Sequence, residues 1–224
     1  MNAPDPAPSI LWPVQPIWQL DSRHPIPEEE RRTSCAVATA KMLLDHFRPE
    51  RSETLPFHRV REEMIRAGGK DSRGHWRHAA QVRFLASLGL VAWRRNWCAS
   101  GQDPRWLAEH EGYAPAQVAA VRQQTAAEQA LPPDARPWFS LRATLRTIGP
   151  AIASVQPGFT TNRQNHQVLL HGWRFEGRTE IIAFVDPLEN PRTVPLPRET
   201  ELPRFLAFFN RRAVFARRGD APAG

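Results

Sequence analysis

The stretch TSCAVATAKMLLDHF, residues 33–47, sets the interpretation of the whole chain. Its apolar residues, Met42 and Leu43 among them, recur at the spacing of one helix face, and hydroxyl residues that can cap a helix come just before the cysteine. The pattern predicts a helix over about 36–47. Cys35 then lies at the helix start, where it is either ordinary core packing or a thiol whose ionised form is favoured by free N–H groups and the helix dipole.

Outward from this helix, helical patterns come first and strand patterns later, which predicts an α+β domain with N-terminal helices packed on a C-terminal antiparallel sheet. Residues 1–14 are expected to form an arm, 15–216 the domain and 217–224 a flexible tail. Residues 93–138 are either a structural insertion or a specificity element. Further helices are predicted at about 56–67, 77–88, 114–130, 140–149 and 199–210, strands at 90–97, 150–156, 166–175, 180–186, 192–196 and 212–218, and a helix breaker at 131–137.

Composition limits the classes of function. The chain has 224 residues, 41% of them apolar, which is enough for one well-packed domain. Its net charge of +7 comes from scattered arginines, which favours a solvated surface or an acidic protein partner and argues against nucleic acid. No apolar run approaches the roughly 18 residues of a membrane span. No secretory signal is predicted, so synthesis in the cytoplasm is expected, and export as an effector without a signal stays open.

The two cysteines, Cys35 and Cys98, are expected to be free thiols, because a chain this long does not need a disulfide to hold its core. Cys98 lies among basic residues but has no histidine at a useful spacing, so it is expected to be buried or incidental. No set of cysteines and histidines has the spacing of a zinc site, and no metal or other cofactor is expected. Chelators should therefore leave any activity intact.

A nucleophilic thiol needs a histidine, and His166 is the best base because it opens the apolar strand HQVLLHGWRF, a rigid position from which an imidazole can face a cleft. His171 points the other way along that strand. Asp186 ends the next strand and can orient the ring of His166, although a turn aspartate before proline is an equally good interpretation. The histidines in polar stretches are expected to be solvated: His24, His58, His75, His78 and His110.

The order of cysteine, histidine and aspartate, with CAVATAKMLLDHF early and HQVLLHGW and VDP late, resembles the papain-like cysteine peptidases. It is most similar to the bacterial branch of bacteriocin-processing, double-glycine leader peptidases. The resemblance covers about 15–216 and implies a papain-like, two-lobed domain with the catalytic triad Cys35, His166 and Asp186. It also implies that Gln19, in the segment WQLDSRH, completes the oxyanion hole.

The resemblance implies a cysteine peptidase that hydrolyses an amide bond of a peptide or protein through a thioester on Cys35. The same triad also serves an acyl or peptidyl transferase, since only the acceptor differs. A third interpretation is a catalytically silent binding or adaptor module, because the family's usual Cys-Gly-Pro is replaced here by Cys35-Ala36-Val37. A nucleic-acid binder is the least favoured class.

Overall fold

The structure is a computed structural model that describes residues 9–98, 104–159, 165–195 and 197–219. Helices dominate its N-terminal part and strands its C-terminal part, so the predicted α+β organisation is confirmed. The described helices are α1 (Glu28–Arg32), α2 (Cys35–Phe47), α3 (Pro49–Ser52), α4 (Phe57–Arg66), α5 (His78–Ser87), α6 (Pro104–Glu111), α7 (Pro115–Glu128), α8 (Arg136–Thr147) and α9 (Leu202–Phe208), with a 3-10 turn at Pro157–Phe159.

One antiparallel sheet forms the second layer. The described strands are β1 (Ile10–Leu11), β2 (Leu90–Asn96), β3 (Ala151–Val155), β4 (His166–Glu176), β5 (Thr179–Val185), β6 (Arg198–Glu201) and β7 (Phe209–Arg218). Their order across the sheet is β2-β7-β3-β4-β5-β6, and β1 pairs with β4 as well. The central strand β3 has the sequence AIASV and is buried along its whole length, as expected for a strand covered on both faces.

Helix α2 is the centre of the core and packs against β3, β4 and β7. Its small residues, such as Ala36 and Ala40, let the helix approach the sheet closely, and its larger ones, Met42 and Leu43, are fully buried. Each such large apolar side chain stabilises the fold by about 1.5–3 kcal/mol. The first turns of α2 lie beside the first residues of β4, since Thr39 donates to Oε1 of Gln167, and this is the spatial relation that the predicted Cys35 and His166 pair requires.

The structure corrects two element predictions. The predicted breaker at 131–137 already contains the start of α8, because Pro137 occupies the first turn, where its missing N–H costs nothing. The predicted strand at 192–196 is turn structure over 192–195, and Leu196 lies outside the described residues. The edge strand is instead β6, which overlaps the start of the predicted helix at 199–210, and α9 begins only at Leu202, just before a proline.

The predicted boundaries also shift. Strand β7 continues to Arg218, which is paired with Leu90, so the sheet extends two residues into the predicted tail. Residues 10–11 of the predicted arm pair with β4. The rest of that arm over 1–8, the tail over 220–224 and the part of the 93–138 segment at 99–103 lie outside the described residues. Across the described ranges, no helix combines the length and apolar composition needed to cross a bilayer.

Candidate active site

A cleft of about 1090 Å³ lies beside the start of α2. Cys35 borders it from the helix, and His166 and Gln167 border it from the start of β4. The opposite wall comes from the start of α5, the end of β2 and helix α6. Two predicted site residues that are 131 positions apart in the chain, Cys35 and His166, thus share one cleft.

Cys35 is the first residue of α2, but its predicted cap does not form. The hydroxyl of Ser34 donates to the Glu30 carbonyl at 2.6 Å, and that of Thr33 donates to the same carbonyl at 3.2 Å. No side chain caps the first turn of α2. Since the first N–H groups of a helix have no partner within it, the backbone N–H of Cys35 stays available to an acceptor in the cleft.

His166 and Asp186 form a buried pair, with Nε2 of the ring 2.7 Å from Oδ1 of the carboxylate. Because an ionised carboxylate can only accept, Nε2 carries the proton and donates it. The same Oδ1 accepts the backbone N–H of Leu188 at 2.9 Å. Asp186 therefore makes both contacts at once: its carboxylate closes the turn at Leu188 and accepts from the ring of His166.

The other ring nitrogen, Nδ1, is not used by Asp186, and Cys35 borders the same cleft as the ring of His166. Burial alone would lower the pKa of His166 because it disfavours the charged ring. The hydrogen bonds to Asp186 and Cys35, together with the negative charge on both, outweigh burial and raise the pKa to about 10. The environment thus favours an imidazolium next to the sulfur.

Gln19 is fully buried and lies close to two parts of the site. Its side-chain amide donates to the carbonyls of Arg31, at 2.8 Å, and Arg32, at 3.0 Å, just ahead of Cys35. Its backbone N–H donates to the Pro187 carbonyl at 2.9 Å, next to Asp186. In this conformation the amide N–H groups expected to serve an oxyanion are occupied, and Oε1 has no partner within the described residues.

A buried polar cluster beneath the cleft escaped the sequence analysis. Oε1 of Gln167 accepts from the side chains of Thr39, at 3.2 Å, and Gln81, at 2.8 Å. Gln81 also donates to the Ala36 carbonyl at 2.9 Å, next to Cys35. These bonds tie the first turn of α2 to β4 and α5. The available signal was a polar residue, Gln167, inside an otherwise apolar strand.

His78 belongs to this cluster, contrary to the expectation that it is solvated. Its Nε2 lies 2.7 Å from Oγ of Ser154 and 3.3 Å from Nε2 of Gln167. Burial lowers its pKa to about 4, and the positive charges of Arg94 and Arg212 add to that effect. His78 is therefore neutral at physiological pH, and it acts as a hydrogen-bonding partner in the cleft wall.

The segment 93–138 contributes to both the core and the cleft. Trp93 and Trp138 are buried, whereas Trp106 is 41% exposed, borders the cleft and stacks on His110 with ring centroids 4.8 Å apart. Cys98 is exposed rather than buried, and its sulfur lies 3.7 Å from the carbonyl oxygen of Asn210.

No family model matches the chain, and no curated protein matches it. Among solved structures, it is similar to the peptidase domain of Streptococcus ComA, a bi-functional ABC transporter involved in a quorum-sensing pathway. The TM-score is 0.47 at 12% sequence identity, with 93% of this chain and 99% of that chain covered. At this identity and TM-score the match assigns no residue a role, so the roles proposed below rest on the contacts of this chain.

Proposed function

We propose that this chain is a papain-like cysteine peptidase acting on a peptide or protein. The observation that carries the proposal is that Cys35 and His166 border one open cleft while Asp186 is hydrogen-bonded to the ring of His166. A nucleophile at a helix start, a base on a strand and a carboxylate holding that base form the arrangement of covalent acyl-transfer catalysis.

In the proposed mechanism the thiolate of Cys35 attacks the carbonyl carbon of the scissile amide and forms a tetrahedral oxyanion. The carbon–nitrogen bond then breaks, and His166 gives the proton on Nδ1 to the leaving amine. The product is a thioester on Cys35. Water, deprotonated by His166, attacks that thioester and releases the acid and the free thiol. Asp186 keeps the ring oriented throughout and stabilises its positive charge.

The backbone N–H of Cys35 is the first proposed oxyanion donor, because it starts an uncapped helix at the cleft. For Gln19 we propose a positioning role in the conformation described. Its side chain holds the segment before Cys35 while its backbone holds the Pro187 turn beside Asp186. Donation from Gln19 to an oxyanion then requires its amide to leave the carbonyl of Arg31 or Arg32.

Thiol labelling is the first test of the proposal. A helix-start thiol beside an imidazolium is a reactive thiolate at mildly acidic pH, whereas an ordinary thiol is protonated. Iodoacetamide at pH 6 is therefore expected to alkylate Cys35 at least about tenfold faster than Cys98. The measurement is peptide mass spectrometry over a time course.

Solvent exposure alone predicts faster alkylation of Cys98 than of Cys35, because Cys98 is exposed and Cys35 is only partly exposed. Labelling of a Cys98→Ala variant serves as the control, since it should keep the fast phase. Equal rates at the two thiols, or a faster reaction at Cys98, would count against an activated Cys35.

The pH profile tests the role of Asp186. Since the pKa of His166 is raised to about 10, the ring stays protonated well above pH 6.5, and kcat/KM is expected to fall on the alkaline side only as the pH approaches 10. Because the folded state binds this proton more tightly than the unfolded state, protonation of His166 stabilises the fold. The stabilisation is complete below the ordinary histidine pKa of 6.5 and is lost as the pH rises towards 10. Asp186→Asn replaces the charged hydrogen-bond acceptor that, together with Cys35, raises this pKa, and it should move the alkaline limb down by at least about one pH unit.

The measurement is kcat/KM for a peptide substrate between pH 5 and pH 10.5. Asp134→Asn is the matched control, because Asp134 is an exposed carboxylate paired with Arg211. An alkaline limb that stays in place in Asp186→Asn would show that Asp186 does not set the protonation of His166.

A further inference from the structure

Arginines dominate the wall of the cleft. Seven of them border it, against two acidic residues, Asp71 and Glu111. A cleft lined mainly by one sign of charge focuses the electric field and attracts ligands of the opposite sign. The whole chain carries a net charge of +7, so the field outside the cleft has the same sign.

Some of this charge is neutralised within the protein. Three of the seven arginines have a carboxylate partner, in the pairs Arg32 with Glu28, Arg94 with Glu111 and Arg95 with Glu128. The other four, Arg73, Arg77, Arg83 and Arg212, have no ion pair anywhere in the part of the chain that the structure describes. Of these, Arg83 donates to the backbone carbonyl of Ala67.

Arg212 stands out because it is partly buried. It lies on β7 directly opposite Asn96 of β2, so it is fixed by the sheet rather than by a loop. Its Nε is buried and has no acceptor within the described residues. Its charge also contributes to the lowered pKa of His78 across the cleft wall. Burial of a guanidinium N–H without a hydrogen-bond acceptor costs free energy. A ligand carboxylate that binds the other N–H groups of the same guanidinium compensates its charge and offsets that cost.

We propose that Arg212, with the exposed arginines Arg73 and Arg77 that border the same cleft, forms a subsite for a carboxylate side chain of an acidic peptide. This inference rests on the proposed function, because it names the class of substrate held beside Cys35. Arginine suits the task, since its planar donors match the two oxygens of a carboxylate. The paired Arg94 and Glu111 form a neutral border to the subsite.

Binding of short peptides to a Cys35→Ala variant tests the subsite without hydrolysis. The probes are ten-residue peptides of alternating glutamate and glycine, or of alternating glutamine and glycine, with a neutral dye at one end and an amide at the other. The glutamate side chains are then the only carboxylates in the probe, since the C-terminus is an amide. At 50 mM salt the glutamate peptide is expected to bind at least about tenfold more tightly by fluorescence polarisation. Raising the salt should weaken its binding.

Substitutions locate the site. Arg212→Gln should weaken the glutamate peptide about tenfold and leave the glutamine peptide unchanged. Arg77→Gln should weaken binding of the glutamate peptide by a smaller factor. Because Arg77 is exposed, this variant keeps the test valid if Arg212→Gln folds poorly. Arg217→Gln is the matched control, because Arg217 lies on the same strand but does not border the cleft, and it should change binding less than about twofold.

The proposal would be overturned by equal binding of the two peptides, by an equal loss in Arg217→Gln and Arg212→Gln, or by tighter binding of a ten-nucleotide single-stranded DNA than of the glutamate peptide. Preference for a glutamine peptide with a free C-terminus over the glutamate peptide would also overturn it, since the carboxylate recognised would then be a chain end. Failure of the proposed peptidase function is distinguishable, because glutamate-peptide binding through Arg212 would persist while wild-type protein cleaved no peptide.

Discussion

Cys35→Ala is expected to lower kcat for peptide hydrolysis by about 10⁴- to 10⁶-fold, because the variant can form no thioester and the remaining site offers only binding and oxyanion donors. Cys35 is a partly exposed side chain at the cleft, and alanine is the best helix former, so the helix should keep its start. The measurement is single-turnover and steady-state cleavage of a peptide substrate, with circular dichroism as the check on folding.

Cys98→Ala is the matched control, since it removes the other thiol of the chain from an exposed position outside the cleft. It should retain full activity. A well-folded Cys35→Ala variant that keeps the full biological effect would exclude the peptidase proposal, and the protein would then act by binding alone.

His166→Gln is expected to reduce kcat to a similar extent, by about 10⁴-fold or more, because glutamine has no group that can exchange a proton with the thiol or the leaving amine. Glutamine is preferable to alanine here. Alanine would leave the buried carboxylate of Asp186 without its ring partner, which typically costs about 3–5 kcal/mol of stability. A glutamine side-chain amide supplies an N–H donor to that carboxylate.

Activity and thermal unfolding are measured together on this variant. His171→Gln is the control, because His171 is equally buried on the same strand but its Nδ1 contacts the Trp12 carbonyl, at 2.9 Å, instead of the site. The double variant Cys35→Ala, His166→Gln should be no slower than either single variant, since both remove the same catalytic unit. A His166→Gln variant with near-normal kcat would remove His166 from the mechanism.

Local patterns in the sequence determined the α+β organisation and the positions of the candidate catalytic groups along the chain. The recurrence of apolar residues from Ala38 to Met42 and Leu43 predicts a helix at the correct place, because a period of 3.6 residues is imposed by the backbone itself. The apolar strands that place His166 and Asp186 are equally local features, and their sequential, hairpin-connected order makes them neighbours. The pair of side chains therefore followed from the sequence before any tertiary contact was known.

Competition between distant partners decided the remaining features. A hydroxyl such as that of Ser34 can satisfy several neighbouring groups, and only the folded chain shows that the Glu30 carbonyl is the one it reaches. Edge strand β6 likewise forms where a helix was predicted, because pairing with β5 outweighs the weak local preference.

The sequence by itself determined which residues can perform covalent chemistry and where they stand along helices and strands, since those depend on residue type and local period. Tertiary structure alone decided that the Gln19 amide is held by two backbone carbonyls, that His78 is neutral and hydrogen-bonded to Ser154, and that Arg212 faces the cleft without a counter-charge. The reason is physical: burial, hydrogen-bond partners and neighbouring charges are set by residues far away in the chain, and no local pattern encodes them.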